Sequence, residues 1–291
     1  MHLTILVTGA TGTVGREVVK QLSMYNGDIR VRAGVHSVIK GENLTRLPGV
    51  EIVEMDFEDK DSLQAAFTHV DKLFLITPFA KGQVHMAKTL VDEAKENGVK
   101  HIVKLSAMGA DAEPPIMLGS WHREIEKYIE DSGIAYTFLR PASFMQNFVN
   151  YSASTIKSEG KVYLPTGDGK IGYIDVRDIA AVGVEVLTGE GHEGKIYELT
   201  GPEAISNGEA AQVLSEVTGK QVEFVDVPSD AARQAMIAQG APDWMADAMI
   251  ELYDVYKAGN SNQVFDSVQA VIDRKPHTFK QFAQDYKECF E

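Results

Sequence analysis

The chain of 291 residues contains one cysteine, Cys289. A single thiol cannot close a disulfide or furnish a cysteine-based metal site within the chain. Its eight histidines are scattered, with no i,i+4 pair suited to zinc, so no metal site is expected. Basic residues are also short: 28 Lys and Arg stand against 42 Asp and Glu, for a formal charge of −14. That balance argues against nucleic acid or an anionic membrane as the main partner, since both require a basic face, while still allowing a local basic pocket for a phosphate. No uncharged apolar run approaches the ~18 residues of a membrane span. The first apolar run lacks a basic flank and is too short for a signal peptide, so a cytoplasmic protein is expected.

What is present is an ordinary globular balance, 44% hydrophobic and 24% charged, in a length that suits one large domain or one and a half. The first informative stretch is Gly9-Ala10-Thr11-Gly12-Thr13-Val14-Gly15, directly behind the apolar run Leu3 to Thr8 and ahead of Arg16 to Leu22. It reads as strand, tight loop and helix. Such a loop brings bare backbone N–H groups to the positive end of a helix and holds a dinucleotide pyrophosphate. Gly9 suits the turn, Gly12 the approach of phosphates and Gly15 the packing of helix on strand. Thr11, Thr13 and Val14 complete the expected cofactor loop.

Strand-like and helix-like segments then alternate. Strands are expected at 29–35, 51–56, 72–77, 101–106 and 135–140, with helices near 43–44, 60–67, 83–97 and 120–131 between them. Strands separated by helices require a parallel sheet covered on both faces. The expected fold is therefore α/β, a Rossmann-type doubly wound parallel sheet with a smaller, mainly helical C-terminal lobe. Residues 1–150 are assigned to the dinucleotide-binding domain, with 171–202 returning to it, and 151–170 plus 203–291 to a substrate lobe. Ligands on such sheets bind at the carboxyl ends of the strands, which places the glycine loop, Asp56, Thr77-Pro78, Ser106 and Pro141 along one rim.

With these residues assembled, the sequence resembles the NmrA-like branch of the atypical short-chain dehydrogenase/reductases. The resemblance rests on Val7 to Gly15, on Gly98 to Ser106 and most specifically on Gly133 to Asn147. It implies a nicotinamide cofactor, and within the branch it is closest to quinone and triphenylmethane-dye reductases. Some branch members are catalytically silent nucleotide sensors, which is the alternative function. Many relatives form dimers, so a homodimer is an open expectation. Asp56-Phe57 resembles the family's adenine-contacting pair, although an ordinary turn accounts for it equally. The superfamily's usual tyrosine and lysine fall on Leu118 and His122, so the phenol that protonates a carbonyl is missing.

Reducing a ketone makes an alkoxide that needs an acid. Reducing a quinone makes a phenolate whose conjugate acid has a pKa of roughly 10, and a delocalised cation takes hydride without forming an anion. The missing tyrosine therefore favours a quinone or similar small aromatic acceptor. His122, which shares a helical face with Glu126, is a candidate for ribose contact or proton supply; the alternative is a capping or solvated histidine. Ser106 either bonds cofactor or substrate, or simply turns the chain.

No acid occurs between Ile29 and Lys40, while Arg32, His36 and Lys40 do, which favours NADPH over NADH. Arg32 on a strand equally suits a solvent-facing role. Thr77 and Pro78 are expected beneath the cofactor, although Pro78 also serves as a strand stop. Phe144, Asn147 and Phe148 are candidates to face the substrate. Trp244, Met245, Met249, Tyr253 and Tyr256 repeat at helical spacing, a stripe more often core than pocket. The turn Thr166-Gly167-Asp168-Gly169 is expected to be a hairpin.

Overall fold

The computed structural model describes residues 2–57 and 59–291; the side chain of Lys40 lies outside that description. The elements follow one another as β1 (Leu3–Val7), α1 (Thr13–Ser23), β2 (Ile29–Val35), α2 (Val38–Gly41), β3 (Val50–Glu54), α3 (Lys60–Phe67), β4 (Lys72–Leu75), α4 (Gln83–Glu96), β5 (His101–Leu105), α5 (Met117–Ser132) and β6 (Ala135–Pro141). The second half runs α6 (Ala153–Glu159), β7 (Lys161–Leu164), β8 (Lys170–Ile171), α7 (Val176–Thr188), β9 (Lys195–Leu199), β10 (Ile205–Ser206), α8 (Asn207–Thr218) and β11 (Glu223–Asp226). It ends with α9 (Ser229–Ala238), α10 (Asp243–Lys257), α11 (Ser267–Ile272) and α12 (Phe279–Asp285).

Among the described residues seven strands form one sheet in the order β3-β2-β1-β4-β5-β6-β9. The neighbours from β3 to β6 pair in parallel. Strand order reverses between β1 and β4, so the switch point of the sheet, where such folds bind ligands, lies at the loop that follows β1. Burial explains the strands: Ile5, Leu6, Val7, Leu73, Phe74, Leu75, Ile102 and Val103 are each at most 1% exposed, as a sheet covered on both faces requires. The helices bury one stripe each. On α4 it is Ala87, Leu90, Val91 and Ala94, and the helix stops at Asn97 before Gly98, which adopts φ +73°.

The chain divides into two compact units. One comprises 1–111, 120–140 and 176–198, the other 112–119, 141–175 and 199–291. Residues 112–119, 141–150, 171–175 and 199–202 group with the second unit, whereas the sequence reading assigns them to the first. The first unit has a core of Leu6, Leu63, Phe67, Leu73, Leu90, Ile102, Ile125, Ile129 and Phe138. The second gathers Met145, Phe148, Val162, Tyr173, Leu214, Tyr256, Phe279, Phe282 and Phe290. The expected hairpin at 166–169 is not formed: β7 pairs with β11 and β8 with β10. The turn is instead pinned from elsewhere, since Gly167 N–H donates to Asp226 and Asn207 donates to the Thr166 hydroxyl.

Candidate functional site

The turn after β1 is built by close approach. Gly9 has φ +60°, and a side chain on Gly15 would place Cβ 2.2 Å from the Gly9 carbonyl oxygen. Gly12 N–H donates to that same oxygen at 2.9 Å, and Arg16 N–H makes the first helical bond, to Gly12. The N–H groups of Thr13, Val14 and Gly15 therefore precede the hydrogen-bond ladder, and among the described residues they have no acceptor. Gly12 supplies no side-chain cap. Three unpaired donors at a helix N-terminus, behind a glycine turn that keeps side chains out, fit a diphosphate. Val14 is 4% exposed and offers only its backbone. The Thr8 hydroxyl ties the loop to the far side of the switch point, donating to Ile76 O at 2.7 Å and accepting from Ile76 N at 2.8 Å.

Along the same rim, His36 follows β2 and is exposed, Asp56 and Phe57 follow β3 and are half-buried, and Thr77 and Pro78 follow β4. Asp56 N–H is held by the Ser62 hydroxyl at 3.0 Å. Arg32 is not among the rim residues. It sits mid-strand and donates to Glu51 on β3 and to the carbonyls of Ala66 and Thr68, so its guanidinium is spent on the end of α3. Arg16, which sequence reasoning passed over, is exposed with its guanidinium against Thr11 O at 3.3 Å. A cation in the first turn opposes the helix dipole, a conflict that an anionic ligand removes.

Around the end of β5 lies a buried network of charge. Glu126, fully buried on α5, takes a two-pronged bond from Arg140 (2.9 and 2.7 Å), the Ser106 hydroxyl proton at 2.6 Å and an Arg123 N–H at 3.0 Å. Arg140 also donates to Asp111 at 2.7 Å and Glu198 at 3.2 Å. Burial raises the Glu126 pKa, but the bonds from Arg140 and Ser106 outweigh it and hold the carboxyl below the usual glutamate range. Burial pushes Glu198 the other way, and its second oxygen is buried without a hydrogen bond. Ser106 is therefore corrected: it is buried, and its one hydroxyl proton is committed to Glu126, so it is no donor to substrate.

The expected pairing of His122 with Glu126 is also corrected. His122 lies on the α5 stripe with Ile125, Glu126 and Ile129, but its Nδ1 stands 2.9 Å from Nζ of Lys104 on β5. Lys104 is 1% exposed, and its other partner is Leu105 O at 2.8 Å. Burial, then the neighbouring Lys104, drives the His122 pKa well down, so the ring is neutral and not the imidazolium. Burial likewise brings Lys104 down to about 7, with Arg140 lowering and Glu126 raising it. Leu118 lies one turn before His122 on α5, and beside them Phe79 meets Trp121 with ring centroids 6.3 Å apart.

A family model matches residues 1–289 and is described as NmrA-like. The chain belongs to the NmrA-like family. An NAD(P)H azoreductase of Xenophilus azovorans is 40% identical over 286 residues, covering 98% of this chain and 99% of the relative. An NADPH-dependent quinone oxidoreductase of Escherichia coli, crystallised with NADPH, superposes with a TM-score of 0.87 at 30% identity over 97% of this chain and 99% of its own. A Citrobacter triphenylmethane reductase, solved with NADP(H), gives 0.84 at 31% identity, again over 97% and 99%.

In this NmrA-like chain the substrate candidates divide. Phe148 is corrected to core: it is 3% exposed, packed edge-on against Tyr173 and Phe279. Phe144 is half-buried and bridges to Ile174, and Asn147 donates to the Ser143 hydroxyl at 3.3 Å. Pro141 is buried at the end of β6. Of the aromatic stripe on α10, Tyr253 and Tyr256 join the second unit's core, while Trp244, Met245 and Met249 are half-buried. Lys104 was missed. A polar residue between Val103 and Leu105, in a strand whose neighbours leave no polar face, was the signal that marked it.

Proposed function

We propose that this NAD(P)H-dependent oxidoreductase transfers hydride to a quinone or similar conjugated aromatic acceptor, with NADPH the preferred cofactor. The observation that carries the reading is the trio of unpaired N–H groups at Thr13, Val14 and Gly15, set at the switch point of a parallel sheet. When bound, a reduced nicotinamide supplies two electrons and a hydrogen as hydride. The protein's share is to hold, orient and manage charge. The three N–H groups hold the diphosphate, with Arg16 as a nearby cation. His36, exposed at the end of β2 with no carboxylate between Ile29 and Lys40, leaves room for a 2′-phosphate. Asp56, Phe57, Thr77 and Pro78 line the rest of the rim.

Leu118, at the superfamily's tyrosine position, has no proton to give, and the Ser106 proton is already donated. Without the phenol beside the acceptor, products that are weak bases are favoured over an alkoxide. The azo, quinone and dye reductases that this chain resembles support the same substrate class. The test is the loss of the near-ultraviolet absorbance of NADPH with a panel of quinones, azo compounds and cationic dyes, against aliphatic ketones. Turnover confined to the conjugated acceptors is expected. Tight NADPH binding with no turnover across the panel selects a nucleotide sensor instead, and rapid reduction of plain ketones overturns the acceptor class.

A further inference from the structure

We infer that Lys104 and His122 form a proton relay, in which the buried lysine supplies through the imidazole the proton that the reduced acceptor requires. This rests on the reductase reading above. The geometry fixes the starting state. Nζ of Lys104 and Nδ1 of His122 stand 2.9 Å apart, and whenever the lysine is an ammonium it is the donor, which leaves the neutral ring its own proton on Nε2. Nε2 has no hydrogen-bond partner among the described residues, and the residue is only partly buried. With Leu118 apolar and the Ser106 proton given to Glu126, Nε2–H is a side-chain donor left without an acceptor among the described residues.

The lysine is otherwise hard to explain. An ammonium 1% exposed, hydrogen-bonded to one carbonyl and one imidazole, is costly where an apolar residue would pack. Its charge is faced by Glu126 from α5 and Arg140 from β6, while the charge that acts on His122 among the described residues is that of Lys104. Asp111 and Glu198 accept from Arg140, and Arg123 donates to Glu126 and Glu130, which completes the surrounding network. Burial makes the ammonium acidic enough to release a proton near neutrality, which an exposed lysine does not do.

The step balances without a further reagent. Uptake of hydride leaves the acceptor with an anionic oxygen or nitrogen. The His122 Nε2–H bond breaks as a new O–H or N–H bond forms on the acceptor, and an Nδ1–H bond forms as one Lys104 Nζ–H bond breaks. The acceptor ends neutral, the imidazole is neutral in the opposite tautomer, and Lys104 is a neutral amine. No electrons pass through the relay. Recharging is the reverse: water protonates Nε2 and Nδ1–H returns its proton to Nζ, so the lysine itself needs no contact with solvent.

The test uses the full chain with Lys104→Met, of similar length and without a proton, and Lys104→Arg, which keeps a donor and charge but cannot release a proton. Circular dichroism and the Kd for NADPH first establish that each variant folds and binds. Nitrogen NMR of His122 without cofactor is expected to show the Nε2–H tautomer and ring shifts that follow a titration at about 7. In Lys104→Met that titration disappears and the His122 pKa rises, because a neighbouring positive charge is gone.

With a quinone, kcat of the parent chain is expected to fall as pH rises through about 7, where the lysine empties. Lys104→Met should lie at least about tenfold lower below that pH and meet the parent curve above it, and Lys104→Arg, if folded, should behave like Lys104→Met. A folded, NADPH-binding Lys104→Met with the parent's pH profile, or unchanged His122 nitrogen shifts, overturns the relay while leaving the reductase standing. No turnover by the parent chain removes the reductase and the relay together.

Discussion

At the scale of single residues, the glycine turn is where sequence and chemistry meet most tightly. Gly15 has no room for a methyl group because the Gly9 carbonyl occupies the place, 2.2 Å from where a Cβ would stand. Gly15→Ala must therefore push α1 off the turn and misalign the three donors. We expect it to cost about 1–3 kcal/mol of stability, the usual range for overpacking, and to weaken NADPH binding at least about tenfold, or about 1.4 kcal/mol. Thermal melts and calorimetric titration measure the two effects, and an unchanged Kd would remove the turn from the cofactor site. Arg32 teaches the opposite lesson. Its charge, in a stretch with no acid, matched a phosphate ligand on paper, yet it stands mid-strand in β2 and the carbonyls that end α3 claim its guanidinium. Sequence spacing names which residues are near a strand end, not which acceptors lie beside them.

At the scale of elements, the charge network joins β5, α5, β6 and β9 through Ser106, Glu126, Arg140 and Glu198. Removing the Glu126 charge leaves Arg140, 3% exposed, without its two-pronged partner. Glu126→Gln is expected to cost about 3–5 kcal/mol, as for other broken buried pairs. Because the folded pKa of Glu126 is lowered, its stabilisation is fully present above the ordinary glutamate range and is lost as pH falls through the folded value. Urea unfolding across pH should therefore show parent and variant converging in acid, and a constant gap would refute the assignment. The elements themselves were legible: apolar runs and glycine stops placed β1 to β6 and α4 within a residue or two. The network was not, since it joins residues from 106 to 198 that only the fold brings together. The absent hairpin at 166–169 has the same cause, for β7 and β8 find their partners at β11 and β10, which no local turn signal reveals.

At the scale of the whole molecule, a ligand held by the β1–α1 turn should stabilise the folded chain by mass action. At NADPH a hundred times its Kd the gain is ~2.7 kcal/mol, or roughly 5 °C in Tm at about 2 °C per kcal/mol. NADH at the same concentration should give less. Scanning calorimetry with each nucleotide checks this, and equal shifts would contradict the NADPH preference. Among the described residues no helix is long and apolar enough to cross a membrane. The Thr8 hydroxyl has a last consequence. By clasping both the amide and the carbonyl of Ile76, it sets the mouth of the sheet to its working width before any guest arrives. Docking there then spends little free energy on ordering the host, and encounter should proceed at a rate governed by diffusion and not by a slow opening of the backbone.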